Sequence, residues 1–138
     1  MKENRHLALA RHRLQRAADS LTGARQNYVI GNFRIAVSQS YYRILTAMRA
    51  LLALRHVDSH LQEGAITLFH KHYVQKRLFP KEVNKVIKDM KTLREEADYG
   101  DFVEVTKEMA EREIKHAEGF FKAAEIAFAR LLSEKGEP

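Results

Sequence analysis

Apolar residues return at every third or fourth position along most of the chain. Leu7, Ala10, Leu14, Ala17, Leu21, Ala24 and Tyr28 alternate steps of three and four, which puts them on one stripe of a long first helix. Gly31-Asn32 interrupts the pattern, glycine being suited to end one helix and asparagine to cap the next. A second helix is expected over about residues 33–55. Val37, Tyr41, Ile44, Met48 and Leu51 form its main stripe, and Leu45, Leu52 and Leu54 widen it into the most buried helix of the chain. Residues 56–64 read as a connection. A short third helix is expected near residues 65–74, with Ile66, Leu68, Phe69 and Tyr73 inward. Pro80 suits the first turn of a fourth helix, in which Val83, Val86, Met90, Leu93 and Ala97 repeat the step until Asp98-Tyr99-Gly100-Asp101 breaks it. Thr106 is placed to cap the last helix, with Glu108 and Glu111 near the positive end of its dipole. Ala110, Ile114, Ala117, Phe121, Ala124, Phe128 and Leu131 line its inner face, and residues 133–138 are expected to fray.

No strand-like alternation competes with this pattern. The expected fold is all-α: an antiparallel bundle of four long helices and one short one, forming a single domain over residues 1–138 with its core at about 5–132. The apolar stripes also suit a helical dimer, so a homodimer is expected, its face left open between the first, second and fourth helices. A chain of 138 residues with 45% hydrophobic and 30% charged residues is globular in composition and long enough to bury a core. The absence of cysteine removes disulfides, thiolate metal sites and a thiol nucleophile, and fits a reducing cytoplasm. No signal-like apolar segment and no run of about 18 apolar residues is present, so no membrane association is expected.

Charge changes the picture. The net charge is +6, and residues 1–60 hold ten Lys/Arg against three Asp/Glu. Nine of those ten cations are arginine, the side chain that pairs bidentately with phosphate and stacks on bases. Basic and aromatic residues interleave at Tyr41-Tyr42-Arg43, Arg49, Arg55, Lys71-His72-Tyr73 and Lys76-Arg77, a mixture that suits single-stranded RNA or a nucleotide. Tyr41 falls on the core stripe and Tyr42 one step round from it. His56 and His60 have the four-residue spacing of a helical metal pair, but they fall where the helix ends and no third ligand accompanies them. Glu113 and His116 match one half of a di-iron motif that needs a second copy. They flank the inner stripe and are expected to be solvated. No metal and no cofactor is therefore expected. Neither a Walker-type phosphate loop nor a serine nucleophile elbow occurs.

Three blocks in order resemble one family. The run Ser38-Gln39-Ser40-Tyr41-Tyr42-Arg43 through Leu52, the run Gly64-Ala65-Ile66-Thr67-Leu68-Phe69 through Val74, and Leu93-Arg94-Glu95-Glu96-Ala97-Asp98-Tyr99-Gly100 through Val103, followed by Thr106-Lys107-Glu108, look like stand-alone prokaryotic HEPN proteins over roughly residues 8–132. The resemblance implies a helical bundle that dimerises across a cleft and cleaves RNA, binds RNA or binds a nucleotide. It also implies a minimal nucleotidyltransferase partner in a toxin–antitoxin module. Ribonuclease members carry Arg, four to six residues, then His at the end of the penultimate long helix. Arg94 matches the arginine, but Asp98-Tyr99 stands in the histidine's place. A carboxyl group, with an ordinary pKa of about 4, is a poor base at neutral pH beside an imidazole. Gln62 also stands where a further histidine is expected, with His60 two residues earlier.

The leading expectation is thus a binding-type domain whose cleft holds Arg94, Asp98 and Tyr99, with Tyr42, Arg43, His60, Lys71 and His72 as further RNA or nucleotide contacts. In it Arg94 either meets phosphate or forms a helical salt bridge with Asp98. The rivals are a metal-independent ribonuclease toxin using Arg94, Asp98 and Tyr99, and a subunit that only binds protein.

Overall fold

The computed structural model describes residues 4–100 and 103–134. Five helices follow one another: α1 (Arg5–Val29), α2 (Phe33–Leu54), α3 (Gln62–Phe69), α4 (Val83–Tyr99) and α5 (Lys107–Glu134), with a π-helical turn, His70–Val74, continuing α3. No strand occurs among the described residues, and the fold is the expected all-α bundle. Asp101, Phe102 and residues 135–138, named above in the helix break and the tail, lie outside the described residues.

α2 is the centre, because it packs against each of the other four helices. Thirteen of its 22 residues are buried, as its widened apolar pattern requires. α1 runs antiparallel to it. Arg13 Nη1 donates to the Arg49 carbonyl at 3.2 Å, Ser20 Oγ to the Gln39 carbonyl at 3.1 Å and Asn27 Nδ2 to Gln39 Oε1 at 2.9 Å. Ala10, Ala17 and Ala24, seven residues apart on α1, are each fully buried. These small side chains let the two helices lie close.

Gly31, at φ +88°, ends α1 in the left-handed conformation that glycine adopts without strain. Asn32 occupies the position before α2 but makes no side-chain cap. Its amide instead reaches back to Asn27 Oδ1 at 3.2 Å. Thr106 does cap α5, accepting from the Met109 N–H at 3.1 Å. Pro80 lies ahead of α4 rather than in its first turn. The bonds from Val83, Asn84 and Lys85 back to Pro80, Lys81 and Glu82 span three residues, a tighter turn that feeds the helix.

The third element departs most from a plain helix. After Phe69 the turn widens, with the Gln75 N–H donating to the His70 carbonyl at 2.9 Å. Tyr73 in this turn donates its hydroxyl to the Leu51 carbonyl. Phe69, Tyr73, Phe79 and Phe120 form one aromatic cluster with ring centroids 4.9–6.3 Å apart. Phe120, not Phe121, is therefore the core residue of α5. Phe121 is half-buried under Arg43.

Asp58 ties three segments together beyond α2. Its carboxylate lies 2.9 Å from Arg13 Nη2 and 3.3 Å from Arg49 Nε. Burial raises its pKa, but hydrogen bonds from Arg49, Arg13 and the Ser59 N–H outweigh it and hold the group below the ordinary carboxyl value. A depressed carboxyl contributes stability above its unfolded pKa, and that contribution is lost as pH falls through the folded one. Asp58→Asn is expected to lower the melting temperature at pH 7, and the gap to wild type should close on acidification below about pH 4. A gap that stays constant with pH would remove the charge from this account. Ala17→Leu, which forces bulk between α1 and α2, should cost about 1–3 kcal/mol in denaturant unfolding. An unchanged midpoint would mean that the close helix contact is not a constraint.

Candidate functional site

The middle of α2 and the end of α4 bring Tyr42 and Arg94 together. Arg94 Nη2 donates to the Tyr42 hydroxyl at 2.8 Å, and its Nε lies 3.0 Å from Asp98 Oδ2 one helical turn on. The guanidinium stands 5.1 Å from the Tyr42 ring centroid and 6.0 Å from that of Tyr41. Of the two roles expected of Arg94, the salt bridge with Asp98 is present. The guanidinium is paired within its own helix, and it is also pinned to an aromatic ring that faces solvent.

Exposure divides the cluster usefully. Tyr41 is buried, as its place on the core stripe requires, and Tyr42 is 45% exposed. Tyr99, the last residue of α4, is 76% exposed. The Arg94 side chain is only 14% exposed and Asp98 26%, so the cation is held from below while the Tyr42 ring stays open. Burial, together with the charge of Glu95 and the neighbouring Tyr42, pushes the Tyr41 phenol above its ordinary value against the opposing effect of Arg94. Tyr41 therefore remains a neutral donor, and its hydroxyl bonds to Gln62 Oε1.

Gln62 links this cluster to a cleft of about 690 Å³ between α3 and α4. Ser59, Gln62, Glu63, Thr67, Lys91 and Glu95 supply its polar groups, and Lys91 Nζ lies 3.3 Å from Glu63 Oε1 across it. Gly64 sits on its wall, where a Cβ would stand 2.3 Å from Ser59 Oγ, so any other residue requires the Ser59 side chain to move. Lys91 and Glu95 precede Arg94 and Asp98 by three residues each and line the cleft from the same helix. Sequence reasoning missed these cleft residues. Gln62 stands out along the chain only as a departure from a family pattern, and no spacing joins Ser59 to Lys91.

The other expected contacts lie elsewhere. Arg43 is 2% exposed and does not reach the surface as a nucleic-acid contact must. Its guanidinium lies 4.3 Å from the Phe121 ring centroid, and its Nε and Nη1 have no hydrogen-bond partner. Burial, then the nearby Arg25, lowers its pKa to about 10 despite Glu118 and Glu125. His60 is exposed in the α2–α3 connection, between two residues that line the cleft. Lys71 and His72 belong to the π turn, close to Arg55 at the far end of α2. Tyr42 precedes Arg55 by thirteen residues, about 20 Å along a helix.

Among the described residues, those that bond to, pair with or stack on Arg94 are Tyr41, Tyr42 and Asp98. No imidazole is among them. His56, at φ +63° beyond the helix end, stacks on His6 with centroids 3.9 Å apart, so the His56–His60 pair does not share a helical face. Glu113 corrects an expectation: it is 3% exposed, not solvated, and lies 3.3 Å from Arg112 Nε and 3.4 Å from His116 Nδ1. Among the described residues no group of three His, Cys, Asp or Glu is placed to hold a metal, and no helix is long and apolar enough to cross a membrane.

Known proteins place this geometry in a lineage. A family model described as the HEPN domain matches residues 10–127. A UPF0332 protein of Archaeoglobus fulgidus is 30% identical over 115 residues, covering 83% of this chain and 91% of its own. A UPF0332 protein of Gloeobacter violaceus is 33% identical over 87 residues, 63% of this chain and 69% of its own. A Methanocaldococcus jannaschii protein named "putative toxin" is 26% identical over 98 residues, 71% of this chain and 67% of its own. The blocks around Tyr42, Gly64 and Arg94 lie inside the matched span, and the chain belongs to the HEPN domain family.

Proposed function

We propose that this chain is a binding-type HEPN domain that recognises RNA or a nucleotide at the Tyr42–Arg94–Asp98 cluster and the adjoining cleft. The observation that carries the reading is the clamping of Arg94 between the Tyr42 hydroxyl and the Asp98 carboxylate, beside the exposed ring of Tyr42. An exposed ring offers a stacking platform to a base, worth about 1–3 kcal/mol. A guanidinium fixed by a ring and a carboxylate keeps further N–H donors in a set orientation for phosphate. The polar cleft next to it has room for a base and sugar.

The exposure of Ile35 and Tyr42, seven residues apart on α2, supports docking of a second copy of the chain or of a nucleotidyltransferase partner in the cytoplasm on that side. A metal-independent ribonuclease toxin is the second reading, favoured by the name of the Methanocaldococcus relative. It would have to use Asp98 or Tyr99 in place of an imidazole. That chemistry is the weaker fit at neutral pH.

Purified protein incubated with total RNA in EDTA is expected to shift RNA on a native gel and leave it intact on a denaturing gel. Arg94→Ala and Tyr42→Ala should each weaken binding about tenfold or more, the value of one stacked or charge-assisted contact. Unchanged binding in both, with only a lower melting temperature, would make the cluster a structural brace and overturn the proposal. Discrete cleavage that disappears in Arg94→Ala would establish the ribonuclease reading instead.

A further inference from the structure

A second basic surface lies at the end of the bundle where α1 begins, α2 ends and the π turn follows α3. Its charge is written in the sequence as an acid-free run. Residues 64–81 contain Lys71, Lys76, Arg77 and Lys81 with His70 and His72 and no Asp or Glu. Folding adds Arg55, just past the end of α2, to this run. Lys71, Arg55 and Lys76 all act on the His72 imidazole, and after burial it is these three cations that depress its pKa, with no carboxylate opposing them.

Glu82, exposed next to Lys81, borders this surface, and three other carboxylates are engaged elsewhere. Asp58 is taken by Arg13 and Arg49, Glu63 by Lys91 and Asp98 by Arg94. Among the described residues, Arg55, Lys71, Lys76, Arg77 and Lys81 make no ion pair. Lys71, Lys76, Arg77 and Lys81 are all exposed. Arg77 is held at φ +61°, a left-handed conformation that costs a non-glycine residue and persists only where its surroundings impose it. It marks the corner of a depression of about 530 Å³ lined by Gln75, Arg77, Leu78, Pro80 and Lys81 among others, none of them acidic.

We infer that this pole docks the phosphodiester backbone of RNA without reading its sequence, as a surface separate from the Tyr42–Arg94 cluster. The inference takes from the proposed function only that the polyanion is RNA. Cations strung from Lys71 to Lys81 around a turn and a depression match successive phosphates along a strand better than one small anion. No large hydrophobic side chain is exposed between Gln62 and Asp98, so the pole lacks the apolar wedge by which a peripheral helix enters a lipid surface. Backbone contacts position a strand, while stacking and base-edge contacts specify it. On this division the pole supplies affinity and the Tyr42–Arg94 cluster about 20 Å away selects what is held.

The test is fluorescence anisotropy of the full chain with two labelled single-stranded RNAs, oligouridylate and a mixed sequence of equal length, from about 50 to 200 mM KCl. The pole variant combines Lys76→Ala, Arg77→Gly and Lys81→Ala; glycine suits the positive φ at position 77. A matched control removes Lys88, Lys107 and Lys122, which are exposed cations elsewhere on α4 and α5. The pole variant should bind both RNAs about tenfold more weakly at the higher salt. It should also flatten the log K against log salt slope by about 2, at roughly 0.7 for each phosphate that is no longer neutralised. The control should change neither by as much. Equal losses in pole and control variants would show a general charge effect and overturn the proposal. So would a loss confined to one of the two sequences, or pole-dependent capture on phosphatidylserine vesicles with no pole dependence on RNA. If Arg94→Ala weakens RNA binding while the pole variant does not, the pole fails and the cluster stands. If wild-type protein binds neither RNA, the pole proposal fails and the RNA arm of the proposed function fails with it, leaving a nucleotide as the cluster's ligand.

Discussion

Burying α2 on nearly every side is the constraint from which the rest of the molecule follows. A helix with thirteen buried residues out of 22 needs partners all round, and α1, α3, α4 and α5 supply them. Each fully buried large apolar side chain contributes about 1.5–3 kcal/mol relative to exposure, so Val37, Ile44, Met48, Leu51 and Leu52 alone outweigh any surface pair in the structure. The same burial confines chemistry. Little of α2 reaches solvent, and where its middle does, at Tyr42, the neighbouring helix α4 supplies Arg94. The candidate site is the edge of the core made accessible.

Two charges inside that core show what the packing tolerates. Arg43 is buried with two nitrogens unpartnered, and its contact with the Phe121 ring, worth about 2 kcal/mol when desolvated, offsets part of the cost of desolvation. Glu113 is buried on α5 with Arg112 and His116 at its carboxylate. Arg43 joins α2 to α5 through the Phe121 ring, whereas Glu113 is paired within α5 itself. Their presence explains why the inner face of α5 is not the simple stripe its spacing suggests, and why Phe120 rather than Phe121 enters the aromatic cluster.

The helices were legible because three-four periodicity is local, and so was the cap at Thr106. The pairing of Arg94 with Asp98 was legible for the same reason, since four residues on a helix is one turn. The contact between Arg94 and Tyr42 was not, because 52 residues separate them and only packing of α4 on α2 brings them together. Arg43 was misplaced because a cation in a basic, aromatic stretch reads as surface, whereas its position one step from Tyr42 and Ile44 turns it toward α5. The π turn was hidden because a widened turn leaves the apolar spacing of Phe69 and Tyr73 intact.

The central proposal is that RNA or a nucleotide is recognised at the Tyr42–Arg94–Asp98 cluster and the adjoining cleft. Photocrosslinking of the wild-type protein to a 4-thiouridine-containing single-stranded RNA, with the adducted residues located by mass spectrometry, tests it most directly. Adducts at Tyr42 or Tyr99, suppressed by excess unlabelled RNA, are the predicted result. Competed adducts that fall only at residues remote from α4 and the middle of α2 would contradict it.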